Sequence, residues 1–369
     1  MSRQVRVGLV GLGFGAEFIP IYQHHPDAEL VAICQQDEAS LNRIGGEFGI
    51  GRRYTQFADM LADPDIDAIH INTPIPTHAD MSIAGLTAGK HVACTVPMAT
   101  TLQECRDIVS AVARSGRNYM MMETAVYTRE FLYVKRLISE GRLGRLQFLR
   151  GAHQQEMTGW PDYWEGLPPM HYATHAVGPL LALAGTTARA VNCVGSGRIS
   201  GNLAGKHGSP FAVETALLKL AGSDLAAEVT RSLFSVARQY VESFSAYGSL
   251  ASFEWPQTEG SNPILFIGEK ADQVSIPDYA DVLPEPIRRF TTRGVYDEEH
   301  EHLSFKQGSG HGGSHPHLAH EFIRSIVEAR RPAVDHVTAA NWTSVGISAH
   351  LSALRDGETV EIEDYGRIE

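Results

Sequence analysis

The feature that most restricts how this chain can fold lies at its very start. Val5–Val10 reads as a short buried strand and runs straight into Gly11-Leu12-Gly13-Phe14-Gly15-Ala16, before a helical stretch over residues 16–24. A strand that turns into a helix through closely spaced glycines is the opening of a βαβ unit. Strand-like segments recur at 29–34, 68–72, His91–Cys94 and 118–122, with helical stretches at 78–88 and Leu102–Ser115 between the later ones. Such alternation builds a parallel sheet whose crossovers cover both faces. Residues 1–125 are therefore expected to be an α/β domain, a doubly wound parallel sheet of the Rossmann kind.

From residue 126 the texture changes. A helical piece over 131–140 ends at Gly141, and strand pairs then replace the βα alternation. Segments 215–220 and 225–234 flank Ala221-Gly222-Ser223-Asp224, and 244–247 and 250–255 flank Gly248-Ser249, both readable as hairpins. Residues 126–369 are expected to be a substrate-binding and oligomerisation domain of α+β class, with an open, largely antiparallel sheet. Helices at 317–329 and 338–354 follow, able to pack back on the first domain, and 256–313 is the least regular stretch.

Composition removes several classes. Lys plus Arg number 31 against 43 Asp plus Glu, a net charge of −12, so the chain is not expected to bind nucleic acid, where affinity comes from neutralising phosphates. The 4 cysteines form no Cys-x-x-Cys pair, which argues against a disulfide framework and suits a reducing cytoplasm. No apolar run approaches the roughly 18 residues of a membrane span, and no secretory leader is legible, so a soluble cytoplasmic protein is expected.

Within the glycine motif each residue type has a physical task. Gly11 permits the tight turn, Gly13 lets the backbone approach a pyrophosphate, Phe14 and Gly15 continue the loop, and Ala16 allows close helix–sheet packing. An acid is usual at the end of the second strand, but here Gln35 and Gln36 occupy the ribose-reading positions. Gln35 can still hydrogen-bond a ribose hydroxyl, whereas Asp37 and Glu38 repel a 2′-phosphate. The expected cofactor is NAD rather than NADP.

Two further segments, Asn72-Thr73-Pro74-Ile75-Pro76-Thr77-His78 and Gly89-Lys90-His91-Val92-Ala93-Cys94-Thr95-Val96-Pro97, join this fingerprint in a chain that resembles the Gfo/Idh/MocA oxidoreductase family. The resemblance implies a Rossmann domain, a second domain with an open sheet and a nicotinamide in the cleft between them. It also implies that Thr73, Pro74, His78, Thr95, Val96, Pro97 and Glu123 line the cofactor, and that the protein is a dimer or tetramer built on the exposed sheet face. The family dehydrogenases read Glu-Lys-Pro where this chain reads Thr95-Val96-Pro97, and valine cannot move a proton. Where they read Asp-x-x-x-His, this chain has His171-Tyr172-Ala173-Thr174-His175. Both departures, the run from Met120 to Glu130, the Tyr172–Pro179 segment and Gly310-His311-Gly312-Gly313 are similar to the NAD-dependent glycosidases of glycoside hydrolase family 109.

That resemblance implies a carbohydrate substrate and a redox-neutral hydrolysis: oxidation at C3, elimination, addition of water and re-reduction, on an N-acetylhexosaminide or a sulfoquinovoside. His175 is the expected base for the C3 hydroxyl and Tyr172 the group for the C2 proton or the ketone. Glu123 is placed near the nicotinamide, with Tyr127 and His311 as further candidates for leaving-group or water chemistry. A net sugar or cyclitol dehydrogenase and a non-catalytic nucleotide-binding regulator are the alternatives. No metal is expected: neither His311, His315, His317 and His320 nor His171 with His175 carries a recognisable ligand signature.

Overall fold

The computed structural model describes residues 3–258, 260–291 and 310–366. The chain divides into two compact units, the first of Met1–Ala99, Gln103–Thr128 and Asp278–Ala339, as far as these are described, and the second of Thr100–Leu102, Arg129–Pro277 and Ala340–Glu369. The first unit is built on strands β1 (Val5–Val10), β2 (Ala28–Cys34), β3 (Arg53–Tyr54), β4 (Ala68–Ile71), β5 (His91–Cys94) and β6 (Tyr119–Met121). They form one parallel sheet in the order β3-β2-β1-β4-β5-β6, the doubly wound arrangement expected from the alternation. The helical segment after β1 begins earlier than residue 16: Leu12–Gly15 is already α-helical, Ala16–Phe18 tightens to a 3-10 turn, and Ile19–His24 resumes.

A continuous boundary at 125/126 does not describe the chain. The segment from Asp278 to Ala339 returns to the first unit, because helix His315–Val327 is apolar on one face. Leu318, Ala319, Phe322 and Ile323 of that helix share a buried core with Phe18, Ile19, Ile21, Met120 and Met122. Helices Glu38–Glu47 and Phe57–Ala62 of this unit escaped the sequence reading, as did Thr174–Ala184 and Gly201–His207 of the second. Helix Glu38–Glu47 is capped by Asp37, which accepts from the Ser40 amide at 2.8 Å.

The second unit holds nine strands: β7 (Leu146–Gln154), β8 (Ala188–Ser196), β9 (Val213–Leu220), β10 (Ala226–Ser232), β11 (Val241–Gly248), β12 (Ala251–Glu254), β13 (Ile264–Ile267), β14 (Lys270–Gln273) and β15 (Val360–Glu361). Their order is β14-β13-β12-β11-β7-β10-β9-β8-β15, antiparallel throughout except for the parallel pair β7–β10. Both expected hairpins are present, β9–β10 and β11–β12. The stretch 256–313 is more regular than expected, since β13 and β14 pair within it; its residue 259 and residues 292–309 lie outside the described residues. All four cysteines are buried free thiols, and no described helix is long and apolar enough to cross a membrane.

Several histidines are held in the core. His70 on β4 lies with its ring 4.5 Å from Phe18, and its Nδ1 is 3.1 Å from the Tyr22 hydroxyl. Burial lowers it to about 3, and His25 and His91 are lowered to about 4 by burial first and nearby charge second. These rings are neutral in the folded chain but take up protons in the unfolded one below about 6.5. The unfolded state then binds more protons, so stability falls as pH drops from about 6.5 towards 4. The thermal midpoint should decline across that window, and His70→Gln should flatten part of the slope; an unchanged slope in that variant would contradict the assignment.

Candidate active site

The first unit provides a nucleotide loop. Gly11 sits at φ 81°, and a Cβ there would lie 2.4 Å from the Asn72 carbonyl oxygen, so only glycine lets the end of β1 pass the end of β4. A Cβ at Gly13 would meet nothing within 4 Å, which leaves open space from which a pyrophosphate can approach the backbone. Ala16 is buried against the sheet. This cradle fits a dinucleotide. Gln35 Oε1 accepts the Leu12 amide at 3.1 Å and braces the glycine loop. Gln36, Asp37 and Glu38 are exposed.

The loops after β4 and β5 are tied by one buried ring. His78 directs Nδ1 to the Pro97 carbonyl and Nε2 to the Thr73 carbonyl, both at 2.8 Å. Two carbonyl acceptors require two N–H donors, the arrangement of an imidazolium. Burial opposes that charge, but the neighbouring Cys94 and both carbonyls outweigh it and raise His78 to about 9. The Pro74 carbonyl accepts from Thr77, and the Thr95 hydroxyl donates to the Ile71 carbonyl at 3.2 Å. Val96 is buried and offers no proton.

Other expected residues of this unit have structural partners. Glu123 is fully buried, and its Oε1 accepts the Ala125 amide at 3.0 Å, capping the turn Thr124–Val126. Tyr127 stacks on His317 at 6.4 Å and 18°, and burial pushes its phenol far above the ordinary range. His311 is left-handed at φ 47°, lies edge-on to Phe14 at 5.9 Å, and shares a 3.1 Å hydrogen bond with His315. The histidine run does not converge on a point: His317 faces Tyr127, while His320 bonds His25 at 2.9 Å.

The second unit assembles a cluster that strand register explains. His153 on β7 pairs across with Arg231 on β10 and Glu242 on β11, and Arg231 pairs with Glu214 on β9. Direct cross-strand neighbours project to one face, so four polar side chains form a single buried rung. Two residues back along β7, Gly151 lets helix Thr174–Ala184 approach: a Cβ there would lie 2.3 Å from the Ala176 carbonyl oxygen. This close approach sets His175 over the rung.

There the ring meets three partners. His175 Nε2 is 3.3 Å from the Tyr172 hydroxyl and 3.6 Å from Glu242 Oε1, and its ring is edge-on to His153 at 5.2 Å. Tyr172 closes the 3-10 turn Pro169–Tyr172 just before the helix, and its ring packs on Trp164 at 4.9 Å. Arg231 fixes that turn: Nε donates to the Tyr172 carbonyl at 2.8 Å, Nη1 to the carbonyls of His153 and Ser232, and Nη2 to Gln155 Oε1. Burial lowers Arg231 to about 10, with Tyr172, Tyr240 and Glu242 pulling the other way, so it remains a cation at neutral pH. Tyr240, raised by burial and by Glu242, stays a phenol and donates to Glu242 Oε1.

His171 stands apart from this group. It packs against His350 at 4.9 Å, and burial lowers it to about 3, with His350 and His207 adding to the effect. His350 in turn bonds Glu214 at 2.7 Å. His153, Glu242, Arg231 and Tyr240 were not singled out in the sequence. Among the described residues, His153, His175 and Glu242 place donor atoms within 4.8 Å of one another, a spacing from which a metal ion could be held.

Comparison with known proteins accords with this geometry. Residues 5–123 match the Gfo/Idh/MocA model, an oxidoreductase family with an NAD-binding Rossmann fold, and NAD is the cofactor of this domain. The chain is 34% identical over 198 residues to a glycosyl hydrolase family 109 protein of Shewanella baltica, a match covering 48% of this chain and 43% of the relative. It is 33% identical, with the same coverage, to an alpha-N-acetylgalactosaminidase of Shewanella oneidensis. The chain thus spans less than half the length of these curated relatives. In fold it is similar to levoglucosan dehydrogenase in complex with NADH (TM-score 0.79, 20% identity, 98% of this chain and 100% of that one). It is also similar to aldose-aldose oxidoreductase of Caulobacter crescentus (TM-score 0.76, 20% identity, 98% and 100%).

The His78 clamp makes a direct prediction. A charged ring holding two carbonyls is worth more than a neutral one, so His78→Gln should weaken NAD binding roughly ten- to hundredfold. In the unaltered chain, NAD affinity should hold below pH 8 and decline as His78 loses its proton near pH 9. Calorimetric titration with NAD across pH 7 to 10 checks both, and an affinity that is flat through pH 9 would contradict the clamp.

Proposed function

We propose that this chain, whose N-terminal domain is of the Gfo/Idh/MocA NAD-binding type, is a redox-neutral glycoside hydrolase acting by transient oxidation at C3 of its sugar. The observation that carries the proposal is the Tyr172–His175 pair, a half-buried phenol and a buried imidazole 3.3 Å apart, in a chain with Val96 where a dehydrogenase's lysine would stand. Bound NAD supplies the hydride acceptor and, at the end of the cycle, the hydride donor. His175 accepts the C3 hydroxyl proton and returns it on re-reduction. Tyr172 handles the proton at C2, whose removal expels the glycosidic oxygen before water adds at C1.

Arg231 supports a neutral sugar over a sulfonated one. It is a fully buried cation of this cluster, and four of its five N–H donors go to three backbone carbonyls and the Gln155 side chain. An N-acetylhexosaminide, suggested by the name of the Shewanella oneidensis relative, therefore suits the site better than a sulfoquinovoside. Glu123, Tyr127 and His311 belong to the first unit, where their capping and packing contacts support a part in shaping the cofactor's surroundings.

Aryl N-acetylhexosaminides test the reading, with phenol release and absorbance at 340 nm followed together. Release without accumulating NADH is expected, whereas NADH rising in step with substrate loss would make the chain a net sugar dehydrogenase. His175→Ala should cost about 10²–10⁴ in kcat, the usual range for a lost general base, with NAD affinity unchanged. Gly151→Ala should lower kcat roughly ten- to hundredfold without removing any reacting group, because it displaces the helix that carries His175. Full activity in Gly151→Ala would show that the helix position does not matter.

A further inference from the structure

We propose that His153, His175 and Glu242 form a binding site for a divalent cation of the zinc type, and that this ion competes with the sugar for His175. Three observations converge on it. The donors come from three separate elements, β7, β11 and helix Thr174–Ala184, and all three side chains are at least nine-tenths buried. Their spacing is that of a coordination polyhedron: Glu242 Oε1 lies 3.6 Å from His175 Nε2 and 3.8 Å from His153 Nε2. Zinc bonds of about 2.0–2.2 Å with tetrahedral angles put neighbouring donors about 3.4 Å apart, near these two spacings, and all three donor atoms lie within 4.8 Å of one another.

The surroundings hold the donors in place. Cross-strand register fixes His153 opposite Glu242, and the Tyr240 phenol donates to Glu242 Oε1, an outer partner that orients a ligating carboxylate. Arg231 turns its guanidinium to backbone carbonyls and Gln155. Two imidazoles and one carboxylate suit zinc or cobalt and disfavour magnesium and calcium, which prefer all-oxygen shells. Three protein ligands leave a further position for water or a sugar hydroxyl.

The consequence for turnover rests on the function proposed above; the binding does not. Coordination uses the lone pair on His175 Nε2 that would otherwise receive the C3 hydroxyl proton. Zinc should therefore suppress aglycone release, and a chelator should restore it.

Equilibrium dialysis of the metal-stripped full chain with Zn²⁺, and visible absorption with Co²⁺, test the site itself. One tightly bound equivalent is expected, with the intense bands of four- or five-coordinate cobalt. His153→Gln and Glu242→Gln should each lose that equivalent, while His320→Ala, altered in the separate His25–His320 pair, should keep it. Circular dichroism and thermal melts confirm that each variant is folded, and two variants on different strands guard against loss of one. Equal zinc binding in the unaltered chain and both site variants, or none in any, would overturn the proposal. Zinc that binds at the triad yet leaves turnover untouched would support the site and overturn the role of His175 as base.

Discussion

The second unit depends on one buried cation. Arg231 is fully enclosed, and an arginine in that position is stable only if its N–H groups find acceptors and its charge finds company. The acceptors are the carbonyls of Tyr172, His153 and Ser232 and the Gln155 amide. One side chain therefore ties the turn that carries Tyr172 to two neighbouring strands. The Arg231 guanidinium also lies 5.2 Å from the centre of the Tyr172 ring. The positions of Tyr172 and His175 follow from this tie and from the close approach at Gly151.

The flanks of the rung show how the fold accommodates so much buried polarity. On one side Glu214 accepts the Met170 amide at 2.8 Å and bonds His350, so the turn Pro169–Tyr172 is anchored at its start as well as its end. On the other side Glu242 takes the Tyr240 phenol and faces both His153 and His175. Polar groups that satisfy one another in a fixed order are rigid, which is what proton transfer over short distances requires. The first unit carries no comparable device at Val96. Under the proposed mechanism the acid–base work falls instead to Tyr172 and His175 of the second unit.

Much of the architecture was legible because periodicity is a local signal. The βαβ alternation and the glycine loop announced the parallel sheet, and the turns at Gly222 and Gly248 marked two hairpins. Helix Glu38–Glu47 was overlooked although Asp37 and Ser40 wrote its cap in plain sequence. Strand β7 was hidden because its inward positions run Leu149, Gly151, His153, and neither glycine nor histidine reads as core. Tyr172 and His175 could be found because they are three residues apart. His153, Arg231 and Glu242 could not, because only strand pairing brings them together. A signal was nevertheless present: Ala227, Val229 and Arg231 share one face, as do Glu242, Phe244 and Ala246, and a charged residue in phase with an apolar face marks a buried polar rung.

The central claim is that one active centre oxidises and re-reduces the same sugar carbon while exchanging the proton beside it. The most direct test is turnover of a C3-deuterated aryl glycoside in ordinary water, and of the unlabelled glycoside in D2O, with the products read by NMR and mass spectrometry. The expected products keep deuterium at C3 in the first case and gain it at C2 in the second. A product that retains its original C2 proton in D2O, or a sugar left as the C3 ketone, would contradict the account.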